Sequence, residues 1–177
     1  VASRGLGDVY KRQDSIKENN ILMQIRETLQ QSKNVRIMDL NEKDRIEYVQ
    51  PLQLITDKPV LYVCNVDEAS ASQGNNYVEI VKEFANSEKT NFLFLAVNIE
   101  ADINELESFE ERLLFLEDMG LKEAGASKLI RSAYNLLNRQ TFFTAGEKEV
   151  RAWTIPIGAS APEAAGVIHT DFKSGFI

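Results

Sequence analysis

The sequence has little cysteine, histidine or tryptophan, and it has no long apolar run. There is one Cys, one His and one Trp in 177 residues. A single Cys excludes an internal disulfide, and no Cys/His cluster provides the several ligands of a structural zinc site. No apolar run approaches the roughly 20 residues that span a bilayer, and no apolar signal-peptide core is visible near the start. Cys64 lies inside an apolar segment, so we expect its side chain to be buried as a small hydrophobic group. A single unpaired Cys also fits a protein of the reducing cytoplasm.

The overall charge limits the classes of partner. The chain carries a net charge of −7, with 44% hydrophobic and 27% charged residues, as in a soluble globular protein. This charge argues against strong nonspecific nucleic-acid binding, so no DNA partner is expected. It leaves open a local basic patch or a ribosomal partner.

Both ends of the chain have unusual features. Residues 1–13 (VASRGLGDVYKRQ) show no helical or strand period and resemble a non-native sequence scar. A true disordered N-terminus is the alternative. At the other end, residues 175–177 look like the start of a strand, so we expect the chain to stop inside a domain.

A short apolar run at residues 59–64 ends in a polar cluster and is the most informative feature. The run is rich in Val, Leu and Tyr, which predicts a buried parallel strand. Asn65, Val66, Asp67 and Glu68 then lie at its carboxyl end, where open α/β sheets bind ligands. An amide and a carboxylate three residues apart can contact the edge of a nucleotide base. The alternative is a plain loop whose Asn and Asp cap the next turn.

Periodicity predicts helices on both sides of this strand. Residues 14–31 have an amphipathic stripe formed by Ile21, Leu22, Ile25 and Leu29. Asn41 and Asp44 resemble a capping box that opens a short helix through Val49, which Pro51 ends. After the polar cluster, a helix with the inward face Tyr77, Ile80, Val81 and Phe84 leads to a second buried strand at 91–96. This order predicts a parallel βαβ unit.

Two further helices precede a change of pattern near residue 139. One is predicted over 103–118 and ends at Gly120, and the other over 127–138. The first has an inward side formed by Ile103, Leu106, Phe109, Leu113 and Leu116. Strands at 141–145 and 150–156 then form a hairpin, Pro162 opens a short helix, and a third strand follows residues 169–171. This order predicts a small α+β module such as a β-grasp domain.

Three blocks of sequence resemble the YchF, or Obg-like ATPase, family. They are residues 58–68 (KPVLYVCNVDE), 99–103 (IEADI), and 141–156 (TFFTAGEKEVRAWTIP) continuing into 161–172 (APEAAGVIHTDF). The resemblance implies the C-terminal half of a P-loop NTPase with a truncated TGS domain of β-grasp type. It assigns residues 14–50 to the returning part of a helical arm, 51–138 to the nucleotide-binding domain, and 139–177 to the TGS domain.

The resemblance also implies a nucleotide-base site. Related GTPases use Asn-Lys-x-Asp, whereas the aligned residues here are Asn65, Val66, Asp67 and Glu68. The longer Glu68 disturbs the bidentate grip on guanine, so the implied preference is ATP over GTP. A second base-side loop falls at Ala96, Val97 and Asn98, whose backbone N–H groups can meet the base. The alternative there is a plain turn before a helix whose N-terminus Glu100 and Asp102 favour.

No phosphate loop of the form Gly-x-x-x-x-Gly-Lys-Ser/Thr occurs in the sequence. We therefore expect this chain to lack hydrolase activity and Mg²⁺ ligands, with the intact protein using ATP, or GTP, and Mg²⁺. The resemblance implies a cytoplasmic protein that binds the ribosome or ribosomal RNA, with no membrane partner. The alternatives are a noncatalytic RNA- or ribosome-binding module acting through the TGS domain, and an unrelated flavodoxin-like binding domain.

Other polar residues carry less weight. His169 has no Ser or Cys partner pattern, so a surface or packing role is expected. Trp153 alternates with small residues and is predicted to pack on a strand face. Lys148 and Arg151 are candidate contacts to ribosomal RNA, but Glu147 and Glu149 lie beside them.

Overall fold

The computed structural model describes residues 2–176, with side chains from residue 13 onward. It is an α/β protein with a small parallel sheet and flanking helices, which confirms the predicted α/β class. The chain divides into two compact units, with the boundary between Pro59 and Val60. The predicted domain boundaries at residues 50 and 139 remain predictions.

The first unit is built on the long helix α1 (Ala2–Gln30). Ile21 and Ile25 lie one helical turn apart and pack with Val35 and Val49 in a buried cluster. Leu22 and Leu29, predicted to share this stripe, are each 38% exposed, so the buried face is narrower than expected. The backbone of residues 2–12 is also helical and continues into the rest of α1. The helix was not predicted here because these residues show no helical period, and the non-native origin of the segment remains a prediction.

The second helical segment of this unit starts at Asn41, as predicted. The Asn41 side chain accepts a hydrogen bond from the Asp44 backbone N–H at 2.9 Å. The run consists of α2 (Glu42–Asp44), a π-helical turn (Arg45–Val49) and a 3-10 turn (Gln50–Leu52). It passes Pro51 and ends at Gln53, whose φ of +49° is left-handed. The α- and π-helical part ends at Val49, as predicted, and Pro51 is accommodated in the 3-10 turn that follows.

The second unit contains the predicted βαβ arrangement. Strands β1 (Leu61–Asn65) and β2 (Asn91–Leu95) pair in parallel, with Leu61 opposite Asn91 and Asn65 opposite Leu95. Helix α3 (Asn76–Ser87) connects them. The prediction that β1 is buried is wrong in part, because Val63 is 46% exposed. Asn65 is also exposed, and Leu61, Tyr62 and Cys64 are half-buried.

The buried face of α3 is shifted by one residue position along the helix from the predicted face. Val78 and Ala85 are buried, whereas Tyr77, Ile80 and Phe84 are 78%, 62% and 52% exposed. Gly74 immediately precedes the helix and lies close to both Val78 and Phe94. Close packing at this turn orients the helix so that Val78, and not Tyr77, faces the sheet.

The region predicted as one helix over 103–118 forms two helices. They are α4 (Val97–Glu105) and α5 (Phe109–Asp118). The break occurs because Ser108 and Glu111 form a reciprocal capping box, which starts a new helix. Ile103 and Leu116 are buried as predicted, but Phe109 and Leu113 are exposed. Gly120, with φ of +67°, follows the end of α5 as predicted.

Helix α6 (Gly125–Leu136) leads into an antiparallel hairpin. The hairpin strands are β3 (Arg139–Ala145) and β4 (Val150–Pro156), which confirms the predicted pair. Helix α7 (Ala161–Ile168) has Pro162 in its first turn, also as predicted. Helix α8 (Thr170–Ser174) was not predicted. The His169 ring accepts the Asp171 backbone N–H and thereby starts this helix. Of the strand start predicted at 175–177, residues 175 and 176 are not in a strand, and residue 177 lies outside the described residues.

Among the described residues, no helix is both long enough and apolar enough to cross a bilayer.

Candidate functional site

The two predicted loops meet at the carboxyl ends of the parallel strands. Asn65 is the last residue of β1, and Val97 begins α4 directly after β2. The Asn65 Oδ1 atom accepts the Val97 backbone N–H at 3.1 Å. The Val66 N–H donates to the Leu95 carbonyl at 3.0 Å, which extends the strand pairing by one step. The amide side chain of Asn65 therefore holds the two loops side by side.

The acidic residues of the first loop have different roles. The Asp67 carboxylate accepts the Ser70 backbone N–H at 2.9 Å and caps a 3-10 turn over Glu68–Ser70. The alternative that this cluster caps the next turn is thus correct for Asp67. Asn65 instead bonds across the strands. Glu68 is exposed at the start of the turn, so its carboxylate is open to solvent.

The second loop contains one buried and two exposed residues. Ala96 is 3% exposed and packs in the core, whereas Val97 is 50% exposed and Asn98 is also exposed. The Val97 N–H was expected to be available to a base, but it donates to Asn65. The Val97 amide therefore stabilises the loop, and a base would have to use other groups of this loop.

Glu100 has a role that sequence reasoning missed. Its Oε1 accepts the Gly125 N–H at 2.6 Å, and its Oε2 accepts the Ala126 N–H at 3.0 Å. Glu100 lies in the first turn of α4, as the alternative for this loop expects, and its carboxylate also caps α6. The partners lie 25 and 26 residues away along the chain, so no short-range pattern could have identified them.

A cavity of about 440 Å³ lies beside β1 and α3. Asn65 and Val66 line it, whereas Glu68, Ala96, Val97 and Asn98 do not. Its lining is Tyr62, Val63, Cys64, Asn65, Val66, Asn75, Tyr77, Val78 and Val81. Burial raises the pKa of the Cys64 thiol, which disfavours the reactive thiolate. The cavity thus coincides with only part of the predicted base site.

The aromatic and basic residues of the hairpin pack against one another. The Trp153 indole N–H donates to the Thr144 hydroxyl at 2.9 Å, and the Arg151 guanidinium lies 4.3 Å from the ring centre. This agrees with the predicted packing role of Trp153 on a strand face. Within the described residues there is no group of three or more His, Cys, Asp or Glu side chains that could hold a metal ion.

Comparisons with known proteins give consistent matches. The YchF-GTPase_C family, described as "Protein of unknown function (DUF933)", matches residues 139–177. Ribosome-binding ATPase YchF of Bacillus subtilis is 43% identical over 169 residues, which is 94% of this chain and 46% of that protein. The Escherichia coli O157:H7 protein of the same name is 45% identical over 93% of this chain and 44% of its own length.

A solved structure supports the same relationship. The Schizosaccharomyces pombe YchF GTPase aligns with a TM-score of 0.79 at 33% identity, over 91% of this chain and 43% of that one. The resemblance to the YchF, or Obg-like ATPase, family is therefore confirmed. The chain spans less than half the length of the relatives that it matches.

Proposed function

We propose, from the relationship to the YchF-type ribosome-binding ATPases, that this chain supplies the base side of a nucleotide site. The first loop contributes Asn65, Val66 and Glu68, and the second contributes residues 96–98. The observation that carries the proposal is the hydrogen bond from the Val97 N–H to Asn65. It joins the two loops at the edge of the sheet where α/β folds bind ligands.

The base preferred is adenine. Glu68 stands where guanine-binding relatives carry a shorter Asp, and Val66 stands where they carry Lys. A carboxylate displaced by one methylene grips the guanine edge poorly, because bidentate pairs depend on geometry. Val66 retains an apolar surface on which a base can pack. ATP is therefore favoured over GTP.

Groups outside this chain hold the phosphates and Mg²⁺ in the proposed full-length protein. The sequence has no phosphate loop, and phosphoryl transfer depends on positioning and on Mg²⁺ electrostatics. In this account the chain binds the base and is inactive by itself. The relatives' names support a ribosome partner in the cytoplasm for the full-length protein.

A second candidate function is noncatalytic binding to the ribosome or its RNA through the module at 139–177. One face of the hairpin favours it, because Phe143 and Val150 are each 71% exposed. A base could stack on the open Phe143 ring. Ribosome co-sedimentation of wild-type chain and Phe143→Ser tests this candidate. Equal sedimentation of the two would contradict it.

The proposed function is tested on a full-length protein. Residues 14–177 are joined to the upstream part of the Bacillus subtilis relative, a ribosome-binding ATPase, so that the rest of an ATPase is supplied. Calorimetry then measures the affinities for ATP, GTP and inorganic tripolyphosphate, which has no base. We expect ATP to bind most tightly of the three. Equal affinity for ATP and tripolyphosphate would show that this chain does not contact the base.

A further inference from the structure

We propose that Glu100 is a positioning residue that clamps the base-side loop at 96–98 against the N-terminus of α6. The inference rests on the proposed function of that loop. Glu100 lies in the first turn of α4, three residues after Val97. Any movement of the Glu100 backbone therefore moves the loop that precedes it.

The clamp consists of two hydrogen bonds from a single carboxylate. Glu100 accepts the N–H groups of Gly125 and Ala126 at 2.6 and 3.0 Å. These N–H groups belong to the first turn of α6, where intrahelical partners are missing. The N-cap residue Ala124 provides no side-chain hydrogen bond. A distant carboxylate thus performs the capping, in the orientation that the helix dipole favours.

Gly125 shows how closely the two elements approach. A Cβ atom placed on Gly125 would lie 2.7 Å from Leu95 Cβ and 2.8 Å from Glu100 Oε1. Both distances are too short for a real side-chain contact. Leu95 is the last residue of β2, so α6 abuts the point where the strand becomes the loop. Glycine is required here for close approach.

The loop is consequently held from two directions. Asn65 fixes the Val97 amide on the side of β1, and Glu100 fixes the next helical turn on the side of α6. Base recognition depends on geometry, and small displacements are sufficient to weaken it. The clamp should therefore contribute to the base-dependent part of nucleotide affinity and leave the phosphate-dependent part unchanged.

The test uses the full-length protein described above, with Glu100→Ala, Glu100→Gln and a control at Glu105. Glu105→Ala removes an exposed carboxylate from the same helix. For Glu100→Ala we expect ATP affinity to fall about tenfold, because both hydrogen bonds of the clamp are lost and the base-side loop is held only by Asn65. Tripolyphosphate affinity should change less than about twofold. Glu100→Gln keeps one acceptor oxygen and should give an intermediate loss of ATP affinity, and Glu105→Ala none.

A second readout covers the case in which Glu100→Ala does not fold. Hydrogen exchange of the Val97 amide in Glu100→Gln should be faster than in the wild type, because the clamp then has one hydrogen bond in place of two. Unchanged ATP affinity together with unchanged Val97 exchange would overturn the inference. Equal losses of ATP and tripolyphosphate affinity would also overturn it, since they indicate general damage. If the wild type itself binds ATP no better than tripolyphosphate, the proposed function fails first, and the inference fails with it.

Discussion

The side-chain oxygen of Asn65 accepts the backbone N–H of Val97 at 3.1 Å, across 32 residues of chain. The bond exists because parallel strands bring their carboxyl ends to the same edge of the sheet. It converts two separate loops into one surface. A neutral amide suits this position because its oxygen accepts a hydrogen bond from Val97 while its NH₂ group remains available to donate.

Removal of the Asn65 amide should loosen the surface. We expect Asn65→Ala to lower the free energy of unfolding by about 0.5–1 kcal/mol, because the lost bond is solvent-exposed. In the full-length protein, the base-dependent part of the free energy of ATP binding should be reduced by more than this amount. Asn104→Ala, an exposed amide further along α4, is the matched control. Equal effects of the two substitutions in urea unfolding and in ATP titration would contradict the proposed link.

Tyr48 should make the first unit sensitive to alkali. Burial against the cluster around Val49 raises the pKa of Tyr48 to about 12, and the neighbouring Glu47 acts in the same direction. The unfolded chain loses this proton near the ordinary pKa of 10.0. The contribution of Tyr48 to stability is thus fully present below pH 10 and is lost as the pH rises through 12.

Absorbance at 295 nm measures this titration directly. The difference between wild type and Tyr48→Phe should show one phenol that ionises near pH 12, and urea midpoints of the variant should fall less between pH 10 and 12. A midpoint near pH 10 in the difference between the two titrations would show that Tyr48 is exposed, contrary to the structure.

The hairpin can be tested through its single tryptophan. Thr144→Val keeps the shape of the side chain but removes the acceptor of the Trp153 indole N–H. We expect a loss of about 0.5–1.5 kcal/mol in unfolding free energy, followed by Trp153 fluorescence. Thr144→Ser retains the hydroxyl group and should lose less. If the serine variant is as destabilised as the valine variant, the hydrogen bond is not responsible.

The exposed apolar face of α3 should promote self-association. This face consists of Tyr77, Ile80 and Phe84, each more than half exposed. We expect Ile80→Lys to reduce aggregation, measured by light scattering, with a change in stability below about 0.5 kcal/mol. Val78→Lys places the same charge at a buried position on the same helix and should unfold the chain. Unchanged scattering of the Ile80 variant would exclude this face as the cause of association.

Sequence periodicity predicted most elements but not their orientation. The parallel pair, the hairpin and the Asn41 cap follow from local patterns of apolar and capping residues. The buried face of α3 was predicted one residue out of place, because Val78 and Tyr77 both fit a helical stripe. Only packing against the sheet near Gly74 distinguishes them.

The remaining errors have separate physical causes. The break between α4 and α5 is encoded locally by Ser108 and Glu111, and it was overlooked because the apolar period continues through it. The clamp between Glu100 and Gly125 depends on contacts distant in sequence, which no local pattern reveals. The predicted base-site residues lie on two adjoining loops, but the use of the Val97 amide by Asn65 required the structure.

The most direct test of the base site replaces the two residues that depart from the guanine-binding pattern by the residues of that pattern. In the full-length protein, Val66→Lys and Glu68→Asp are made together, and the affinities for ATP and GTP are measured by calorimetry. We predict that the wild type prefers ATP and that the double variant shifts the affinity ratio toward GTP by about tenfold or more. A wild type that prefers GTP, or a ratio unchanged by the double substitution, would contradict the assignment of Val66 and Glu68 to the base site.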